Sequence, residues 1–356
     1  MAATVQISSF QKRVKPSTSS IAGTKISSTN GTLHVSSGIP SLDNICDGGF
    51  PMGSLSLIEE DIYGSYAKII TKYFLAEGAL NKNYLFAASL NENPSDILNN
   101  LPSPTSSDVQ EKRPIENTEE LKIAWRYENL SLGDSNERTG NIFDLSVPYI
   151  IKFFSHNVFI LICNTGTLKN QSCLSLLTTI NQIINNWELD SKNSSNLLRI
   201  VVSSFGSPHW NFSEKEISTD FTATLFLLKS LIRSANVVAV ITIPHQLLNA
   251  SSLLVARSRS AADMVFQLKS LREDPNLRDL MDVHGILEMK KLANLTSLKP
   301  ILGQDGTTTY GFKATKRKFK IEKLHVPPSL EENKSSANDL STAGCASSSS
   351  RNNLDF

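Results

Sequence analysis

Short, mainly apolar runs alternate along the chain with longer segments whose apolar residues recur every three to four positions. A strand covered on both faces needs the first pattern and an amphipathic helix the second. The predicted strands are Ser54–Ile58, Tyr84–Ala88, Val158–Cys163, Leu198–Ser203 and Val237–Ile243. Between them, Lys68–Glu77 sets Ile69, Ile70, Tyr73 and Phe74 on one helical face. Leu174–Trp187 does the same with Leu176, Leu177, Ile180, Ile183 and Ile184, and Phe221–Ile232 with Leu225, Leu228 and Ile232. This alternation predicts an α/β fold with a largely parallel central sheet flanked by helices. After Ile243, Met264–Leu268, Gly285–Leu292 and Tyr310–Leu324 read as successive strands, an antiparallel extension at the sheet's far edge.

Polar stretches bound one domain over residues 31–328. Residues 1–30 are Ser/Thr-rich, with Lys12, Arg13, Lys15 and Lys25 and no acid, and read as a disordered basic tail. Organelle transit peptides share that composition, although no amphipathic Arg-rich face is evident. Residues 329–356, with the Ser347–Ser350 run, read as a second disordered tail. Residues 102–138 are Pro-, Ser- and Glu-rich around one apolar island, Leu121–Tyr127, and read as a long surface insertion. No apolar stretch approaches the roughly 20 residues of a membrane-spanning helix.

Composition adds little chemistry. Four cysteines and six histidines are dispersed without metal-ligand or redox spacing, so no metal site is expected. The net charge of +1 conceals an uneven distribution. Residues 1–42 carry +4 and residues 312–328 carry +5, which leaves the remainder at −8. If the chain contacts nucleic acid, the contact is expected from those basic segments or from partner subunits, and not from the body as a whole.

The most informative stretch is Ser37–Leu98. Ser37-Gly38-Ile39-Pro40-Ser41-Leu42-Asp43 and Asp47-Gly48-Gly49-Phe50-Pro51-Met52-Gly53 lead into the Ser54–Ile58 strand and then a helix. This resembles the opening of a RecA-like ATPase core, where a phosphate-binding loop G-x-x-x-x-G-K-[ST] follows the first strand. Its glycines let backbone N–H groups surround the phosphates, and its lysine and hydroxyl hold the phosphate oxygens and Mg²⁺. Here the turn reads Glu59-Glu60-Asp61-Ile62-Tyr63-Gly64-Ser65-Tyr66-Ala67. Glu60 stands at the first glycine, Ser65 at the second, Tyr66 at the lysine and Ala67 at the hydroxyl. Each like-charge pair at about 4 Å costs on the order of 1–4 kcal/mol. Three successive carboxylates without the lysine predict a vestigial loop that does not bind nucleotide in the usual way. The strand expected to end in a Mg²⁺-binding Asp, Arg199–Ser204, ends in serine. Glu92 lies near the usual place of a catalytic Glu, but Asn93-Pro94 beside it is an ordinary helix start, and no catalytic residue is assigned.

Ile58-Glu59-Glu60-Asp61, Lys72-Tyr73-Phe74-Leu75-Ala76-Glu77-Gly78, Asn93-Pro94-Ser95-Asp96-Ile97-Leu98 and Phe205-Gly206-Ser207-Pro208-His209-Trp210 resemble the Elongator subunit 4 family over about Gly23–Pro328. That resemblance implies a non-catalytic RecA-like subunit in a hexameric ring with two copies each of subunits 5 and 6, working with core subunits 1 to 3. It implies a ring that binds tRNA and supports modification of the wobble uridine at C5, with the chemistry in a separate catalytic subunit. It also implies no cofactor on this chain, ATP only at other subunits of the ring, and a cytoplasmic and nuclear location.

Outside the turn, Arg257 and Arg259 are candidates for RNA or subunit contact, with a solvated helix end as the alternative. Lys316, Lys318 and Lys320 share one face if Tyr310–Leu324 is a single strand. They can track a phosphate backbone or guard a sheet edge. His209 and Trp210 can stack on a base, but packing is the commoner role of such a turn. Two other function classes stay open: a divergent recombinase-class ATPase acting on DNA, and an organelle-targeted RecA-like binding protein.

Overall fold

The computed structural model describes residues 21–27, 31–105, 142–149, 158–161, 172–187, 189, 196–210, 212, 219–250, 252–293 and 308–324. Strands β1 (Thr24–Ile26), β2 (Leu33–Val35) and β3 (Phe50–Pro51) form a small antiparallel sheet, with helix α1 (Pro40–Ile45) between the last two. Residues 24–26 thus depart from the expected tail. Ile21 is buried and Asn83 Nδ2 donates to the Ala22 carbonyl at 3.0 Å, which ties this segment to the domain. Residues 1–20 and 325–356 lie outside the described residues, as do 106–141 with the Leu121–Tyr127 island.

The elements that follow are β4 (Leu55–Glu59), α2 (Ser65–Leu80), β5 (Tyr84–Ser89), α3 (Pro94–Asn99), β6 (Leu101–Pro104), β7 (Phe143–Tyr149), β8 (Val158–Leu161) and α4 (Ser172–Asn186). Then come β9 (Leu198–Ser203), α5 (Asp220–Arg233), β10 (Val237–Ile243), α6 (His245–Ala250), α7 (Ser252–Ala261) and β11 (Met264–Ser270). The chain continues through α8 (Pro275–Met281), β12 (Gly285–Lys291), β13 (Thr309–Ala314) and β14 (Phe319–Lys323). The main sheet runs β14-β13-β12-β11-β4-β10-β9-β5-β8. Pairings from β11 through β8 are parallel, and those from β11 out to β14 are antiparallel. The α/β architecture expected from the sequence is therefore present: a largely parallel sheet between helices, extended antiparallel at one edge.

Successive strand residues point to opposite faces, and the two cores divide accordingly. Val238 and Val240 of β10 join α2's Ile70, Phe74 and Leu75, whereas Val237, Ala239 and Ile241 join Ile180 of α4 and Leu225 and Leu228 of α5. All of these are buried, at about 1.5–3 kcal/mol for each large aliphatic or aromatic side chain removed from water. β6 and β7 pair antiparallel at the base of the insertion.

The expected single strand Tyr310–Leu324 is instead a hairpin, β13 and β14. Thr315 turns the chain: its Oγ1 donates to the Lys318 carbonyl and accepts from the Lys318 N–H, both at 3.0 Å. Lys316 and Lys318 consequently sit in the turn, and only Lys320 lies in a strand, so the three do not share one strand face. β14 is the terminal strand of the sheet, and its exposed Lys320 pairs with Glu322. That arrangement fits the edge-guarding role of such lysines.

Candidate functional site

β4 lies between β10 and β11, and all five of its residues are buried, so Glu59 ends a central parallel strand. Ligands of open α/β sheets bind at this carboxyl end. The turn that follows, residues 60–64, leads into α2, whose N-cap Gly64 takes the left-handed conformation at φ 62°. A side chain here would be strained by that φ and would meet Glu60 Oε2 at 3.1 Å.

Each carboxylate of the turn already has partners within the chain. Glu59 is fully buried and receives two parallel hydrogen bonds from Arg259, Nε at 2.6 Å and Nη2 at 2.8 Å. Such a fork is the strong form of carboxylate pairing. The same pairing raises Arg259's pKa, through the hydrogen bond first and the opposite charge besides. Asp61 Oδ2 accepts from the Tyr63 N–H at 3.2 Å and Oδ1 from the Tyr66 N–H at 3.4 Å. Two backbone donors at the turn therefore point at a carboxylate of the turn itself, while the Glu60 and Gly64 N–H groups donate to the carbonyls of Ile243 and Asp61. Glu60 Oε1 accepts from Thr242 Oγ1 at 2.5 Å and from Ser204 Oγ at 2.8 Å, at the ends of β10 and β9. The serine that stands where a Mg²⁺-binding Asp was sought thus serves Glu60.

Burial pushes the Glu60 pKa up, and the two hydroxyls and Lys68 only partly oppose this. A carboxyl whose folded pKa lies above its unfolded value of about 4.5 stabilises fully below that value, and the contribution is lost as pH rises through the folded pKa. Glu60→Gln keeps an acceptor for both hydroxyls and cannot ionise. It should raise the urea midpoint at neutral pH, and that advantage should vanish below about pH 4.5. A variant less stable than wild type at pH 7 would contradict this.

Tyr66, at the lysine position, is turned into the protein. It is 3% exposed, with its ring centroid 4.6 Å from that of Phe312 and edge-on to it. The Arg272 guanidinium lies 5.5 Å from the Tyr66 ring and 5.4 Å from the ring of Tyr63. Lys68 pairs with Glu92, and Asn93 caps α3 by accepting from the Ser95 N–H at 3.1 Å, which is the ordinary helix start. Of the two arginines singled out, Arg257 is exposed, while Arg259 is committed to Glu59 and is not a free contact. Trp210 is buried against Phe205 at 4.8 Å, so packing describes that turn.

Two features had no local signal in the sequence. Arg272 lies beyond β11 and reaches the turn only in three dimensions. Arg199 is a lone charge in an apolar strand, fully buried and bonded to Asn83, Ser36 and Phe74. Among the described residues no cluster of His, Cys, Asp and Glu could hold a metal ion, and no helix is long and apolar enough to cross a membrane.

A family model described as PAXNEB protein matches residues 17–356. Elongator complex protein 4 of Xenopus laevis is 33% identical over 375 residues, covering 95% of this chain and 90% of its own length. The Mus musculus protein of the same name is 34% identical over 401 residues, covering 98% and 94%. Among solved structures, a KaiC-like protein from Pyrococcus horikoshii OT3 is similar at a TM-score of 0.48 and 14% identity, covering 82% of this chain and 99% of that one.

Proposed function

The chain belongs to the PAXNEB family of Elongator complex protein 4 relatives, and we propose from that membership that it is a non-catalytic, architectural subunit of the Elongator complex. In this reading it forms a hetero-hexameric ring with subunits 5 and 6, which joins core subunits 1 to 3 in the cytoplasm and nucleus. The ring binds tRNA and supports C5 modification of the wobble uridine, and any ATP is handled by the other subunits of the ring.

The observation that carries the non-catalytic part is the Glu60–Asp61 turn. A phosphate-binding loop works because its N–H groups and its lysine are free to meet an incoming polyanion. Here Asp61 accepts from the N–H groups of Tyr63 and Tyr66, and Glu60 lies against Gly64. Tyr66 is packed on Phe312. A triphosphate entering this turn meets two carboxylates, and the nearby Lys68 is already paired with Glu92.

Co-expression with subunits 5 and 6 and purification through a tag on this chain tests the reading. All three are expected in equal ratio, and Mg²⁺-dependent ATP turnover should be absent from this chain alone. Purification without either partner, or Mg²⁺-dependent turnover by the isolated chain, would overturn it.

A further inference from the structure

A cavity of about 470 Å³ opens beside the turn, between the first turns of α2, the Arg272–Arg278 segment and the β13–β14 hairpin. Its polar lining consists of Ser65, Arg272, Arg278, His284, Thr315 and Lys316, with Tyr66 among the apolar wall residues. Among the described residues no carboxylate lines it. Among the described residues, Arg272, Arg278 and Lys316 have no ion-pair partner within 4.0 Å. Ser65 Oγ is inaccessible to solvent and has no hydrogen-bond partner.

His284 presents a donor as well. Its Nδ1 accepts from the Ala314 N–H at 3.2 Å, so in the neutral ring the proton resides on Nε2. Burial and the neighbouring Arg278 lower its pKa, with Arg272 and Lys313 acting in the same direction and Asp282 opposing them. The nearby acids are engaged elsewhere: Asp282 with Lys313, and Glu273 with the Tyr63 hydroxyl.

We propose that this cavity is a binding site for a small phosphate-bearing anion, of the diphosphate or phosphorylated-metabolite class, beside the Glu60–Asp61 carboxylates of the vestigial turn and not at them. Three cations and two neutral donors without an acceptor, Ser65 Oγ and His284 Nε2, call for a ligand that brings multiple negatively charged oxygens. A diphosphate balances three positive charges, whereas a lone carboxylate leaves two uncompensated. The volume is that of a small-molecule pocket. Cations gathered around a concavity also differ from the extended stripe that tracks a polynucleotide.

The site is independent of the architectural reading, which stands or falls on co-purification. Calorimetric titration of the full-length chain with inorganic pyrophosphate, at fixed ionic strength and without Mg²⁺, tests it. Saturable binding with one site is expected. Arg278→Ala and Lys316→Ala should each weaken it about tenfold, as loss of one charge-assisted hydrogen bond implies, and the double variant should abolish it. Both side chains are exposed, so the variants should fold as wild type does, which circular dichroism checks. Glu60→Gln, in the turn, should leave the affinity unchanged. Absence of saturation, equal affinity in the double variant, or binding seen only with single-stranded RNA and not with pyrophosphate would each overturn the proposal.

Discussion

Replacing Arg199 by alanine is expected to lower the unfolding free energy by about 3–5 kcal/mol, the usual cost of removing one partner from a buried ionic group. Its guanidinium is fully buried between β9, α2 and the segment before α1. Nε donates to Asn83 Oδ1 at 3.0 Å, and Nη1 donates to the carbonyls of Ser36 at 2.8 Å and Phe74 at 3.1 Å. The group also lies 4.8 Å from the Phe74 ring. Burial brings its pKa down to about 10 against the favourable charges of Glu77 and Asp43, which raise it, so it stays charged at neutral pH. Alanine would strand two carbonyls and an amide oxygen and would remove a buried positive charge that interacts with Glu77 and Asp43. Gly78 shows how closely the arginine is fitted, because a Cβ there would lie 2.6 Å from Arg199 Cδ. Arg199→Lys, which keeps the charge but loses the planar fork, should recover only part of the loss. Guanidinium unfolding followed by tryptophan fluorescence reads the effect through buried Trp210. A cost below about 1 kcal/mol for the alanine variant, no more than an average substitution, would show that the arginine is not a structural tie.

The tie also explains the Ser37–Asp43 lead-in. Asp43 accepts from Ser36 Oγ at 2.5 Å, from Ser37 Oγ at 2.6 Å and from the Ser37 N–H at 2.7 Å. The motif was legible as a motif, but its role is to anchor the strand that Arg199 grips. Nothing in the run Leu198-Arg199-Ile200-Val201-Val202 indicates a partner, because the partners come from α2, the loop after it and the lead-in. The main strands were readable because most positions on both of their faces are apolar, a pattern that survives any tertiary context. The β13–β14 turn was not, since Thr315-Lys316-Arg317-Lys318 lacks the Gly, Pro or Asn that usually marks one. A threonine side chain closes it instead. β1 was hidden for the opposite reason: its neighbourhood is polar and Ser/Thr-rich, and it is held chiefly by pairing with β2 and by buried Ile21. At the site, residue identities at the turn foretold the absence of a free lysine. They did not foretell that Arg259 would fork onto Glu59 or that Arg272 would lie over Tyr66, since more than 190 residues separate each pair.

Tyr66→Lys, which places a lysine where a phosphate-binding loop has one, should destabilise the protein by on the order of 3–5 kcal/mol and should not create Mg·ATP binding. The tyrosine ring is buried against Phe312, so its loss opens a cavity between α2 and β13. The ammonium that replaces it cannot remain there unpaired. A long side chain can usually carry its charge out to solvent. From this position the exit is the cavity that already holds Arg272, Arg278 and Lys316, and a fourth cation there adds repulsion. Nucleotide binding should stay absent because the obstacle is not the lysine alone. Glu60 and Asp61 still occupy the turn, and the N–H groups of Tyr63 and residue 66 still point at Asp61. Tyr66→Phe separates packing from charge. It retains the ring and the contact with Phe312, and its cost should stay within about 1 kcal/mol. Urea unfolding of the two variants, with calorimetric titration of Mg·ATP onto each, measures both parts. If the lysine variant proved as stable as wild type, or bound Mg·ATP, the turn would have to be a phosphate site lacking only its lysine, and a chain built to occupy its own loop with carboxylates would be the wrong physical picture.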